Sequence, residues 1–510
     1  MRWVAAVALL STSFTAIAAR ALGPSDTQVP AESTKQAPMT KAQAKELFRS
    51  VDEILNFVSS DTKLPIEHSV KRKLISRDEV NHYLIEKFDE DEGAKRMERS
   101  EVVLKKFGLL DQDFHLRPFL LSLLTEQIAG FYDNKTKTVN LLDWIEPDEQ
   151  KPVLAHELTH ALQDQKIGLT KWSDVSMSNT SKNVQDDNRH LQVDEADTAR
   201  TAVAEGQAMA VLIDYTLRSS GKTLADAPDL SDRLKDQVTD MSGSPVMARA
   251  PLLLQQSLMF PYSEGLTFEQ AILVKAGKET AFAGVLANPP SSSFEIMHPN
   301  AYMAHAPVPV IRLPDIHPLL DPEYVPYDIG VMGELDVRIL AELFGGRELA
   351  TALAPEWNGG VYYAAQRKSA VASAEKESTA SIGLLYYSRW KNSDSARSFM
   401  RIYASQIPRK YSHVVERKKD EVDDKELVYS TNEGDVLISR SGDSVFIGES
   451  FDLSLARKLR DTISSVQPAG PMQQAAVSVH EPSLSMAQIF ASFGAVNANS
   501  LQRYTSTGAR

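Results

Sequence analysis

Between Val153 and Leu162 an apolar run, Val-Leu-Ala-His-Glu-Leu-Thr-His-Ala-Leu, carries two histidines four residues apart and an acid beside the first. The apolar positions around them predict a buried helix, with Pro152 suited to its first turn. On a helix His156 and His160 lie one turn apart on one face, so both imidazoles can reach a single metal ion. Glu157 then projects near the remaining coordination position, where a carboxylate can take a proton from water. The spacing therefore predicts a zinc site.

The chain has no cysteine, which excludes disulfides, thiolate ligands and cysteine nucleophiles. Any metal must be held by histidine and carboxylate. A net charge of −13 argues against nucleic acid or an anionic membrane surface as partner. At the N-terminus Arg2 precedes an apolar stretch from Trp3 to Leu10, and Ala16-Ile17-Ala18 and Ala19-Arg20-Ala21 offer small-x-small cleavage patterns. Residues 1–21 read as a secretory signal, which predicts a secreted or periplasmic protein. No later stretch has the length of uninterrupted apolar sequence a spanning helix needs, so no stable membrane insertion is expected after cleavage.

With 510 residues, more than one domain is expected. The fold class reads as α+β. A flexible leader (22–39) precedes a mainly helical domain with a small sheet (40–365), whose first part (40–118) is helical. A smaller α+β domain (370–467) follows, and residues 468–510 are Ala/Ser/Gln-rich and read as a disordered tail. Gly130 to Leu142 reads as a hairpin just before the histidine helix. A strand near a metal can pair with an extended peptide through main-chain hydrogen bonds. Residues 171–189 read as a mobile polar loop, and 192–217 as a helix.

A catalytic zinc takes three protein ligands. One layout puts a glycine at position 163 and a third histidine at 166. Gln163 and Lys166 stand there instead, which excludes it. The best candidate is Glu205, a lone acid in the small, apolar run Ala199-Arg-Thr-Ala-Val-Ala-Glu-Gly-Gln-Ala208. A buried carboxylate is costly unless paired or metal-bound. The bland reading pairs it with Arg200, and the rival ligands are His190, Asp194 and Glu195.

The run His156-Glu-Leu-Thr-His160 with Glu205-Gly206-Gln207-Ala208 downstream resembles the gluzincin branch of the zincin metallopeptidases. The resemblance extends over roughly residues 120–360 and is closest to exported bacterial members, most of them uncharacterised. It takes in Gly130-Phe-Tyr-Asp133, Pro261-Tyr262-x-x-Gly265, His298-Pro-x-x-Tyr302, Gly333-Glu334 and Trp357-x-Gly359-Gly360. It implies a zincin-like catalytic domain, one Zn²⁺ per chain held by His156, His160 and Glu205, and a peptide or protein substrate. Glu157 would be the general base. His298 and Tyr302 are the first choices to stabilise the oxyanion, with Tyr132 and His305 behind them, and Asp164 is a candidate to orient a ligand imidazole. Two other functions fit the same residues: a zinc-containing peptide-binding or envelope-scaffold protein without turnover, and a zinc amidase acting on cell-wall peptide.

Overall fold

Thr40 opens the first helix, α1 (Lys41–Thr62), with a capping box in which Thr40 and Gln43 satisfy each other's backbone N–H. Leu47, Val51, Ile54, Leu55 and Val58 form its buried stripe. The computed structural model describes residues 39–465, apart from 91, 129, 174–180, 228–230, 232–243 and 424. The expected signal peptide, the leader up to residue 38 and the tail lie outside the described residues.

After α1 come β1 (Lys71–Ile75), α2 (Arg77–Glu90), α3 (Glu92–Phe107), α4 (Leu116–Gln127), β2 (Phe131–Asp133), β3 (Thr138–Leu142) and α5 (Pro147–Ile167). The expected hairpin is present as β2 and β3, paired antiparallel, and β1 joins β3 on its other side in parallel register. The resulting three-stranded sheet has the order β1-β3-β2, which leaves β2 at an edge. The N-terminal helical region thus supplies a strand to the sheet beside the histidine helix, and α1 packs on α5.

Helix α5 begins at Pro147, so Pro152 lies inside it rather than in its first turn. Asp148 and Glu149 occupy that first turn, where negative charge complements the helix dipole. The stretch read as a mobile loop holds two helices, α6 (Leu169–Ser173) and α7 (Val184–Val193), the second capped by Asn183 on the Asp186 N–H. Next comes α8 (Ala196–Leu217), buried on every side except at Asp197 and Arg200. A helix apolar all round belongs in a core. Helix α9 (Leu252–Glu279) packs along it, and a π-helical turn (Thr280–Gly284) follows a break at Gly277, where φ is 79°. Among the described residues no helix is long and apolar enough to cross a membrane.

The second sheet has seven strands: β4 (Tyr324–Val331), β5 (Trp357–Arg367), β6 (Ile382–Trp390), β7 (Val415–Glu416), β8 (Glu426–Thr431), β9 (Gly434–Ser441) and β10 (Ser444–Phe451). Its order is β4-β5-β6-β10-β9-β8-β7. It therefore takes in strands on both sides of residue 370. Strands β4 and β5, assigned to the first domain from the sequence, pair with each other and through β6 with the C-terminal strands. A helix (Glu334–Gly345) lies between them in sequence and disguises their pairing.

A buried charge network ties α3 to this sheet. Lys106 donates to Glu433 Oε2 (2.7 Å) and Ser450 Oγ (2.6 Å). Nearby, Lys410 donates to both Glu449 oxygens (2.5 and 2.8 Å), and the Tyr403 and Tyr411 hydroxyls donate to the same carboxylate. Burial opposes a charge on Glu449, but Lys410 and Lys106 outweigh it and hold the carboxyl below its ordinary 4.5. A depressed carboxyl stabilises the fold above its unfolded value and loses that contribution as pH falls through its folded one. Removing one partner of a buried pair leaves an uncompensated charge. Lys410→Met should therefore lower unfolding free energy by about 3–5 kcal/mol. Adding Glu449→Gln should restore part of it, as checked by chemical denaturation at neutral pH. Single and double variants that unfold together would show that the pair carries no such coupling.

Candidate metal centre

Helix α5 presents His156 and His160 on one face, and α8 brings Glu205 against them. The His156 and His160 Nε2 atoms are 3.1 Å apart, and the Glu205 oxygens lie 3.2 Å from the first and 3.5 Å from the second. Donors held tetrahedrally at about 2.0–2.1 Å from one ion are separated by about 3.3 Å. The imidazole separation is close to that value and each imidazole meets a different Glu205 oxygen, so the three side chains are near enough to share one small cation. Among the described residues this is the one group of three or more His, Cys, Asp or Glu donors close enough to share a metal. His156 and Glu205 are fully buried and His160 is 4% exposed. The groups facing the Glu205 carboxylate are the two imidazoles and the Tyr262 phenol.

The electrostatics point the same way. Burial works against a charged Glu205, but the imidazoles of His160 and His156 together outweigh it and hold the carboxyl below its usual range. Burial likewise pulls His160 down, and the Glu205 carboxylate overrides it and lifts the imidazole to about 9. A carboxylate that stabilises positive charge on a neighbouring imidazole in this way will stabilise a metal cation in its place.

The chain matches no family model, no curated protein and no solved structure.

Glu157 projects from α5 towards the edge strand β2. Its Oε2 accepts the Tyr132 N–H at 2.8 Å, while Oε1 has no hydrogen-bond partner among the described residues. Burial pushes this carboxyl well above its ordinary value, and the Glu205 charge adds to the rise against the opposing pull of His160. The carboxylate is thus a stronger base than an ordinary glutamate. Since the Tyr132 N–H is spent on Glu157, it points away from β3, along the outer edge of the sheet.

Other expectations fare differently. Asp164 does not touch a ligand imidazole. Its Oδ2 accepts from the Tyr132 hydroxyl (2.8 Å) and from Lys137 (2.6 Å), and Oδ1 from the Leu169 N–H (3.1 Å), clamping the hairpin to the end of α5. The residue that meets His160 is Gln163, whose Oε1 is 2.9 Å from Nδ1. His298 pairs with Glu334 at 2.7 Å, and the Tyr302 hydroxyl donates to the Asn288 carbonyl at 2.6 Å. The structure brings neither into hydrogen-bond contact with the triad. Arg200 reaches the Trp172 carbonyl and ring, not Glu205. The rivals sit elsewhere. His190 lies 3.0 Å from the Ile329 carbonyl, Asp194 accepts from Val331, and Glu195 accepts from Ser293.

The side chain that residue patterns left without a role is Tyr262 on α9. Its ring stacks near His156 with centroids 6.5 Å apart, and burial, then the Glu205 carboxylate, pushes its phenol well above the usual value. An apolar helical stripe hides such a tyrosine; the neighbouring Gly265 was the available signal. A Cβ on Gly206 would lie 2.2 Å from the Gly265 carbonyl oxygen, and one on Gly265 would lie 2.2 Å from that of Ala202. The small residues around Glu205 thus let α8 meet α9 backbone to backbone, which delivers Tyr262 to Glu205.

Proposed function

We propose that this protein is a zinc-dependent peptidase. The observation that carries the reading is the buried His156, His160 and Glu205 set, close enough to share one ion, with a second carboxylate, Glu157, beside it. A buried structural site has no use for a further acid with one oxygen uncommitted. A hydrolase does.

Zinc in this site supplies Lewis acidity, making a water easier to deprotonate and a carbonyl easier to attack. The protein's own groups do the rest. Glu157 accepts the proton of the attacking water on Oε1 while the Tyr132 N–H fixes Oε2, and it then hands the proton to the leaving amine. Tyr262 faces the Glu205 carboxylate and keeps that ligand oriented. Strand β2 stands at an edge of the sheet beside Glu157, which favours a polypeptide chain over a compact small molecule as substrate. The pattern of residues 1–21 supports an exported location.

Zinc content and cleavage of an unstructured protein such as casein test the proposal in wild type, Glu157→Gln and Glu205→Ala. One zinc per wild-type chain and cleavage by wild type alone are expected. Removing the only anionic ligand should weaken zinc binding at least about 100-fold in Glu205→Ala, more than the loss of an outer partner costs. Zinc retained in full by Glu205→Ala would refute the ligand assignment. Stoichiometric zinc without cleavage by wild type would favour the non-catalytic scaffold.

A further inference from the structure

Beneath His160 runs an unbroken chain of amides. Gln163 Oε1 meets His160 Nδ1 at 2.9 Å. Gln163 Nε2 donates to Gln207 Oε1 (2.9 Å) and to the Ala204 carbonyl (3.1 Å). Gln207 Nε2 in turn donates to the carbonyls of Ala281 and Phe282, at 2.9 and 3.1 Å. Both glutamines are fully buried. The last two acceptors belong to the π-helical turn Thr280–Gly284, beyond the break at Gly277.

This chain can point only one way. Main-chain carbonyls accept and never donate, so the Gln207 NH₂ must face Ala281 and Phe282. Its oxygen then faces Gln163 and requires a donor there. The Gln163 NH₂ meets that need together with the Ala204 carbonyl, which leaves the Gln163 oxygen towards the imidazole. A flip of either amide would set oxygen against oxygen in a buried site. His160 must therefore carry its proton on Nδ1.

We infer that Gln163 and Gln207 are positioning residues that hold His160 as its Nδ1–H tautomer and present Nε2 to the metal, with the direction of the relay set by the π-helical turn. The inference rests on the metal-centre reading above. It assigns a job to a turn that contributes no ligand, and it explains why glutamines stand here. A carboxylate at 163 would have no N–H for Gln207 or Ala204. A neutral relay also leaves the charge of the donor set unchanged.

The test is the zinc dissociation constant, by competition with a chromophoric chelator, together with ¹⁵N NMR of histidine-labelled protein. Wild type should show His160 protonated on Nδ1 and ligating through Nε2. Gln207→Met and Gln163→Glu should weaken zinc binding about 10–100-fold, the usual loss for an outer partner of a metal ligand. Gln207→Met should also show mixed ring tautomers, which a merely packing role would not produce. Zinc binding and tautomer unchanged in Gln207→Met would overturn the inference. So would a wild-type ring protonated on Nε2, a result that needs no variant to fold. The tautomer can also be read without metal, at a pH where the ring is neutral. Failure of wild type to take up zinc thus counts against the metal centre, while the NMR result still decides the relay.

Discussion

Glu157→Gln is expected to bind zinc as wild type does and to hydrolyse peptide about 10²–10⁴-fold more slowly, the usual worth of a positioned general base. The amide is nearly isosteric with the carboxylate, and its oxygen can still accept the Tyr132 N–H at the 2.8 Å seen for Glu157. The fold and the ligands should be undisturbed. The variant also removes a carboxyl that burial and the nearby Glu205 already push towards its neutral form. Its unfolding midpoint should equal or exceed that of wild type, as when a strained functional group is neutralised. Zinc content, thermal unfolding and single-turnover cleavage measure the three parts separately. Turnover close to wild type would mean that Glu157 is not the base.

Gly206→Ala should be the most damaging small substitution near the site. The added Cβ would lie 2.2 Å from the Gly265 carbonyl oxygen, a backbone atom that no side-chain rotation can move aside. Helices α8 and α9 must separate, and overpacking of this kind costs about 1–3 kcal/mol or more. The neighbouring residue is Glu205. A shift of the order of 1 Å in a catalytic group commonly costs about 10²-fold in rate. Gly206→Ala should thus show lower thermal stability, weaker zinc binding and loss of cleavage together, unlike Glu157→Gln, which loses cleavage alone. Gly265→Ala should behave alike, since its Cβ would meet the Ala202 carbonyl oxygen at the same distance. Wild-type zinc affinity in both glycine variants would show that the helix crossing does not hold the third ligand.

Much of the centre was legible in the sequence because its signals are local. His156 and His160 share a helical face whatever surrounds them, and Glu205 stands out as one acid among alanines. What escaped depends on contacts between distant segments. Tyr262 reads as one more core aromatic until α9 is laid against α8. Gln163 served only to exclude another ligand layout, because nothing in its neighbourhood points to Gln207 or to the carbonyls of Ala281 and Phe282. His298 and Tyr302 had only local spacing to recommend them, and their partners, Glu334 and Asn288, are not at the triad. The α+β class was readable from alternating patterns, but the extent of the large sheet was not. Strands β4 and β5 find each other across an intervening helix, and pairing of that kind leaves no mark in a short window.

The bond between Lys106 and Glu433 spans 327 residues of chain. It bears on the order in which the molecule is completed. The histidine helix and α8 are close in sequence and can meet early, whereas contacts of such separation raise contact order and slow folding. Until β9 and β10 are in place, α3 carries a lysine and an apolar face that have nowhere to go. Fragments ending after Glu205 but before residue 450 would contain every residue of the proposed metal centre. Even so, they should aggregate or be degraded rather than persist as a smaller folded protein, because the last strands to be synthesised finish the first helices.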